Sequence, residues 1–375
     1  MTPQLVQRRA RLTAAWALQS AAPRPKPAVA ITDVGAQAVR EPVSRCEYVI
    51  VTLRTDAGVT GAGEVGVPPG SGGATVVAAV LTGKSALAGR DPTATETLPA
   101  LVARGAIQMA CLDIAGKLAK APVYEVLGGP TRFKARAAAT LTGPEGLARL
   151  RAGGFRSALV PLPPPPYRNQ GQGWVKAIRR RLDDLRREAG DDFDFILDCA
   201  GGLSPSDGQV VAKEMESFHL LWLEEPCPLV NLEAAAKISR ESVTPVGFGR
   251  AALRNSQFQD LLRLDAIDVI RAPLRLGINT IRKAAALAET YYVAVAPFHR
   301  GGPVATAAAL HLAASIPNFF LQEVPFPAAE ADRRMRAELV SPAVESVREG
   351  YFALPAGPGL GITVNPDALQ KYRAA

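Results

Sequence analysis

Asp198, Glu224 and Arg250 succeed one another at intervals of 26 residues, and each follows a short apolar run. Two carboxylates delivered side by side by neighbouring strands could hold Mg²⁺ through oxygen ligands. A lone acidic residue at such a place is ordinarily a helix cap or a loop hydrogen bond. Asp198 in DCAGG and Glu224 in WLEEP occupy the same relative position, which capping alone does not account for. Arg250, in PVGFGR, alters the chemistry of the third place. Its guanidinium could fork onto Asp198 and Glu224 where a metal would sit, or point into solvent with nothing in the metal's stead. The same rhythm continues to Pro273, Phe298 and Glu323.

The elements that must position these residues are short apolar runs alternating with amphipathic helices. The runs are Ala135–Thr140, Ser157–Leu162, Phe193–Asp198, Leu220–Glu225, Val243–Phe248, Ile267–Ala272, Val293–Phe298 and Phe319–Glu323. Parallel strands covered by helices read as near-continuous apolar stretches, and eight such units close into a barrel with its working residues at the strand C-termini. This predicts an α/β barrel over 131–330. Ahead of it, Tyr48–Thr55 and Val59–Val65 flank an Asp-Ala-Gly turn and predict a hairpin. Ala106–Lys120 has helical spacing and ends before Gly128-Gly129-Pro130, so 29–130 reads as a separate α+β unit. The remaining C-terminal segment, 331–375, is expected to return to that unit.

Several stretches carry a resemblance to a known family. They are CLDIAGKLAKAPVYEVLGG (111–129), DFILDCAGG (194–202), LLWLEEP (220–226), GPVATAAALHLAASIPNFFLQE (302–323) and GYFALPAGPGLGITVNPDALQKYR (350–373). Over nearly everything after residue 29 the chain resembles the enolase superfamily in its mandelate racemase and muconate-lactonizing branch, most of all the galactonate-type acid-sugar dehydratases. The resemblance implies an enolase-type (β/α) barrel under an N-terminal α+β capping domain, which closes on the mouth with loops near Gly35–Ser44 and Gly66–Gly73. It also implies a homo-oligomer, a sugar-acid substrate and Mg²⁺. In such sites a Lys or His base removes the proton beside a carboxylate while Mg²⁺ steadies the enediolate. Asp198 and Glu224 would be metal ligands, and Glu323 a contact to substrate or transition state.

Four positions depart from that pattern. Arg250 replaces the third acidic ligand. The second strand ends in Leu159-Val160-Pro161 instead of a lysine pair, and runs into prolines through Pro166. Pro273 stands where the sixth strand usually offers Asp. Phe298 stands where the seventh offers His, and His299 follows one residue later. Strand alternation turns a residue offset by one away from the mouth, although a bent strand end would let His299 serve as a base. His219 and His311 read as structural. Arg271 and Arg275 could bind an anion together, or serve as helix-cap or surface residues.

Hydrophobic residues are 48% and charged residues 21% of the 375, the balance of a folded chain, and no apolar run is long enough for a membrane span. The formal charge of +8 is spread over helix faces where Arg179–Arg181, Arg186 and Arg187 alternate with Asp183, Asp184 and Glu188. That is a solvated face and not a nucleic-acid surface; a small anionic partner fits the charge equally well. Cys46, Cys111, Cys199 and Cys227 share no C-x-x-C spacing, which predicts reduced thiols and a cytoplasmic protein. Residues 1–28 read as a tail; Arg8-Arg9 before Leu12–Ala22 also permits a twin-arginine export signal. The expectation is a divergent family member without ordinary Mg²⁺-dependent dehydration that binds an anionic ligand. The alternative is an active lyase or isomerase with a rearranged site, using His299 as base and Arg250 as electrophile.

Overall fold

The computed structural model describes residues 27–68, 70–97, 103–162, 171–251 and 255–374. Apart from Pro27 and Ala28, the N-terminal tail and its export reading lie outside them, as do Pro163–Pro166 of the proline run and Pro69 of the Gly-rich loop. The hairpin is present as Glu47–Thr55 (β2) and Thr60–Gly66 (β3). A strand that the sequence analysis left unassigned, Ile31–Arg40 (β1), adds antiparallel to β2. Its polar residues and Gly35 blur the alternation that marks β2.

The helix Arg104–Ala119 lies against β3, and the glycines of TGAGEVG make the approach close. A Cβ on Gly61 or Gly63 would come within 2.1 or 1.9 Å of the Ala110 or Ala106 carbonyl oxygen. Asp113 on this helix accepts from the Ala62 and Leu360 amides, so one buried carboxylate ties the cap sheet to the C-terminal segment. That segment reaches the cap again where the Ala374 amide donates to Ala38 and the Arg40 amide to Tyr372.

The eight expected barrel strands form. They are Lys134–Thr140 (β4), Ser157–Pro161 (β5), Asp194–Asp198 (β6), Leu223–Glu224 (β7), Val246–Phe248 (β8), Val269–Ile270 (β9), Ala294–Val295 (β10) and Gln322–Glu323 (β11). They pair in parallel in chain order from β4 to β10, and β11 pairs with β4. Bridges from Val295 to Phe319 and from Phe298 to Glu323 close the ring. Several strands are shorter than their apolar runs, yet ladder hydrogen bonds continue past them, as from Arg271 to Phe248 and from Phe298 to Ala272.

The barrel interior holds an apolar layer of Ala138, Leu159, Ile196, Trp222, Val269, Ala296 and Leu321. Successive side chains alternate, so the next inward layer lies two residues further on. It consists of Thr140, Pro161, Asp198, Glu224, Arg271, Phe298 and Glu323. The site is built on this layer. No helix among the described residues is long and apolar enough to cross a membrane.

Candidate active site at the barrel mouth

Register brings the two expected carboxylates together, because Asp198 pairs with Glu224 across β6 and β7. Asp198 Oδ1 accepts from the Ala200 amide at 2.9 Å. Its Oδ2 takes Arg250 Nη1 at 2.5 Å. Arg250 Nε lies 3.5 Å from Glu224 Oε1, and the guanidinium stacks over Phe298 at 5.2 Å. Of the two geometries left open by the sequence, the structure adopts the fork.

The backbone that delivers Arg250 is specialised. Gly249 has φ +123°, and a Cβ there would meet the Phe258 ring at 2.4 Å. Glu225, itself left-handed at φ 49°, accepts from both the Gly249 and Arg250 amides at 2.8 Å. A carboxylate that the sequence analysis passed over thus fixes where the arginine leaves the strand. Gly247 leaves room for Trp222, whose indole Nε1 donates to Glu224 Oε2 at 2.6 Å.

Arg271 requires a correction. It was expected to share an anion site with Arg275 or to take a helix-cap or surface role, but its side chain has no solvent exposure. Its Nε donates to both Glu224 oxygens at 2.9 and 2.8 Å, Nη1 to the Ala296 carbonyl at 2.5 Å, and Nη2 to Glu323. Trp222 and Phe298 cover its faces. Counting inward positions from Val269 would have found it, since Arg271 is two residues on; the last residue of the apolar run pointed to Pro273 instead. Arg275 is exposed and donates to the Arg250 carbonyl at 3.4 Å. Glu323 also accepts from Thr140 at 3.1 Å. A buried chain therefore runs Asp198, Arg250, Glu224, Arg271, Glu323.

Burial raises the Glu224 carboxyl to about 7 against the pull of Arg271 and Arg250. Burial alone would lower Arg250, but Glu323, Glu224 and Asp198 hold it above the ordinary arginine range. His299 is buried at the cap interface. Its Nδ1 accepts from the Gly301 amide at 3.3 Å, and Nε2 lies 3.2 Å from Thr306 Oγ1, which gives its own proton to Glu345 at 2.5 Å. Nε2 therefore carries the ring proton, and burial, with Arg336 nearby, depresses His299 to about 3. Its one lone pair is engaged by Gly301, in a setting unlike that of the base which the alternative reading assigned to His299. His311 accepts from the Tyr124 amide and stacks on that ring, as a structural residue.

Above the carboxylate layer a cavity of about 260 Å³ separates cap from barrel. Phe298, Leu274 and Met109 form apolar walls, with Val67 and Pro68 from the Gly-rich loop, and Arg250, Arg275 and Arg300 contribute positive charge. Glu64 on β3 also borders it, but its carboxylate is spent on the helix Pro303–Ser315, accepting from the Gly302, Val304 and Ala305 amides.

This two-part architecture matches known families along its length. Residues 146–368 match the enolase C-terminal domain-like family, and residues 28–128 match the mandelate racemase / muconate lactonizing enzyme N-terminal domain. The chain belongs to the enolase superfamily. A D-galactonate dehydratase of Ralstonia pickettii is 31% identical over 345 residues, covering 85% of this chain and 89% of its own. A D-xylonate dehydratase of Haloferax volcanii is 26% identical, covering 87% and 85%. The solved mandelate racemase/muconate lactonizing enzyme-like protein from Rubrobacter xylanophilus superposes with a TM-score of 0.80 at 27% identity, covering 93% of this chain and 98% of its own.

Superfamily members generally use Mg²⁺, so the donor set can be tested for it. Among the described residues no three His, Cys, Asp or Glu side chains are grouped to hold a metal. The two carboxylates expected as ligands are already occupied, Asp198 by Arg250 and Ala200, Glu224 by Arg271 and Trp222. A dication about 4 Å from a guanidinium is opposed by roughly 8 kcal/mol at an effective dielectric of 20. Mg²⁺ does not fit this arrangement.

Proposed function

We propose that this superfamily member binds a small carboxylate ligand at the barrel mouth and does not carry out Mg²⁺-dependent dehydration of sugar acids. The observation that carries the reading is Arg250, whose guanidinium sits on Asp198 and beside Glu224 in place of a third acidic ligand. Among the described residues the layer offers no free base, which supports the reading. Pro161 ends β5, Phe298 takes the place expected of a histidine, and His299 is engaged on both ring nitrogens. Asp198, Glu224 and Glu323 act here as anchors for Arg250 and Arg271. The positively charged rim of the cavity, Arg275 and Arg300, supplies attraction for an anion.

The test is thermal unfolding with millimolar Mg²⁺ or Mn²⁺ against a chelator, on the native chain and on Arg250→Glu, with D-galactonate turnover followed in parallel. The expected result is no metal-dependent shift in the native chain and a positive shift in Arg250→Glu, which restores a third carboxylate. Stabilisation of the native chain by Mg²⁺, or metal-dependent turnover, overturns the reading and returns the protein to the active lyases.

A further inference from the structure

The cavity over the carboxylate layer is unlike a site for a polyhydroxylated acid, whose every buried hydroxyl needs a partner. Leaving one unpaired weakens binding. The polar side chains bordering the cavity are mostly committed. Arg250 is spent on Asp198 and Glu224. Glu64 is spent on the amides at the start of helix Pro303–Ser315. His299 is spent on Gly301 and Thr306. What the described residues present to the inner part of the cavity is Phe298, Leu274, Pro273, Met109 and Val67. The charge at the rim stands on Arg275 and Arg300, both exposed, with Arg275 also donating to the Arg250 carbonyl.

The charge distribution also sets an orientation. Below the cavity, Arg250 and Arg271 are already paired with Asp198, Glu224 and Glu323, so neither guanidinium is left for a ligand. A carboxylate is thus not drawn inward, whereas the rim arginines attract it. We infer that the cavity takes an apolar-bodied monocarboxylate, aryl or branched alkyl, with its body on Phe298, Leu274 and Met109 and its carboxylate outward at Arg275 and Arg300. This rests on the carboxylate-binding reading above and narrows it to a ligand class other than sugar acids. Outward placement also keeps the carbon beside the carboxylate away from Glu323, in keeping with a ligand that is bound and not turned over.

The experiment is calorimetric titration of the full chain with 3-phenylpropanoate, its neutral amide 3-phenylpropanamide and D-galactonate, repeated on Arg300→Glu and Arg300→Lys. Phenylpropanoate is expected to bind at least tenfold more tightly than D-galactonate and at least tenfold more tightly than the amide. Arg300→Glu should weaken phenylpropanoate about tenfold while leaving the amide unchanged, and Arg300→Lys should retain most of the binding. Tighter binding of D-galactonate sinks the apolar-ligand inference and leaves the carboxylate reading standing. Equal binding of amide and acid sinks the carboxylate reading itself, as does binding by none of the three. Indifference of phenylpropanoate to Arg300→Glu, with the variant shown folded by its unfolding transition, overturns the rim placement.

Discussion

Arg271→Met is the perturbation that most directly tests how the mouth is held together. Methionine replaces much of the arginine's length inside an apolar surround of Trp222 and Phe298, so the change is chiefly one of charge and hydrogen bonding. Four donor contacts disappear, two to Glu224 and one each to Glu323 and Ala296. Glu224 keeps the Trp222 indole and the 3.5 Å approach of Arg250, and Glu323 keeps Thr140. Removing one partner of a buried ion pair costs about 3–5 kcal/mol, because the other charge is left buried. The loss depends on pH in a definite direction. Glu224 already stands near 7 through burial, and without Arg271 it rises further. A carboxyl whose folded pKa is raised contributes most stability below its unfolded value and loses it as pH increases, at about 1.4 kcal/mol per unit. Native and variant chains lose this contribution in parallel from about 4.5 to 7 and diverge above about 7, so urea unfolding should show a loss of about 3–5 kcal/mol at pH 7.5 that grows towards pH 9. Adding Glu323→Gln removes a second uncompensated charge, so the double variant should be less destabilised than the sum of the two single ones. A loss below about 1 kcal/mol at pH 7.5, or one that does not change with pH, would refute the ion chain as the mouth's support.

Glu64→Gln addresses the seam between cap and barrel. Burial raises Glu64 to about 7, so its contribution is fullest below 4.5 and is lost as pH rises to 7; relative to the native chain, the variant's stability should climb by about 1.4 kcal/mol per unit through that window in urea unfolding at pH 5, 6 and 7. Glu225→Ala removes the shared acceptor of the Gly249 and Arg250 amides and should cost about 2–3 kcal/mol, with Arg250 loosened enough to shift an indole fluorescence signal from neighbouring Trp222. Gly63→Ala places a methyl 1.9 Å from the Ala106 carbonyl oxygen, and the overpacking should cost at least about 2 kcal/mol, read as a lowered melting temperature of the cap.

How much of this was legible beforehand differs by feature. Barrel strands could be located because their covered faces demand apolar runs whatever their partners are, and the even interval placed Asp198, Glu224 and Arg250 on one rim. β1 escaped because Thr32, Asp33, Gly35 and Gln37 interrupt its apolar pattern on a half-exposed sheet edge. Arg271 escaped for a different reason. A charged residue inside VIRAP looks like the end of a strand, and nothing local says that its partners lie 47 and 52 residues away on β7 and β11. Glu225 is recognisable only once Gly249 is known to bend the chain, because the donors it serves are backbone amides. The fate of His299 turned on Thr306 and Glu345, contacts between elements that have no sequence signature.

Arg271 also explains how Arg250 can be accommodated at all. One guanidinium in a metal's place would leave three carboxylates, Asp198, Glu224 and Glu323, facing a single positive charge in a buried layer, and the excess would favour either protonation or collapse of the mouth. With Arg271 inserted between Glu224 and Glu323, the two guanidinium groups together carry the charge of one dication. They spread it over planar forks that reach Asp198, both Glu224 oxygens, Glu323 and the Ala296 carbonyl. On the proposed reading, in which arginine stands in for the metal, the exchange belongs to the pair. Reverting Arg250 alone should restore weaker metal binding than reverting Arg250 in an Arg271→Gln background, because in the former Arg271 still occupies both oxygens of Glu224. Equal Mn²⁺ affinity of the two variants, measured by titration of the purified proteins, would show that Arg271 is only a buried structural residue and that Arg250 acts by itself.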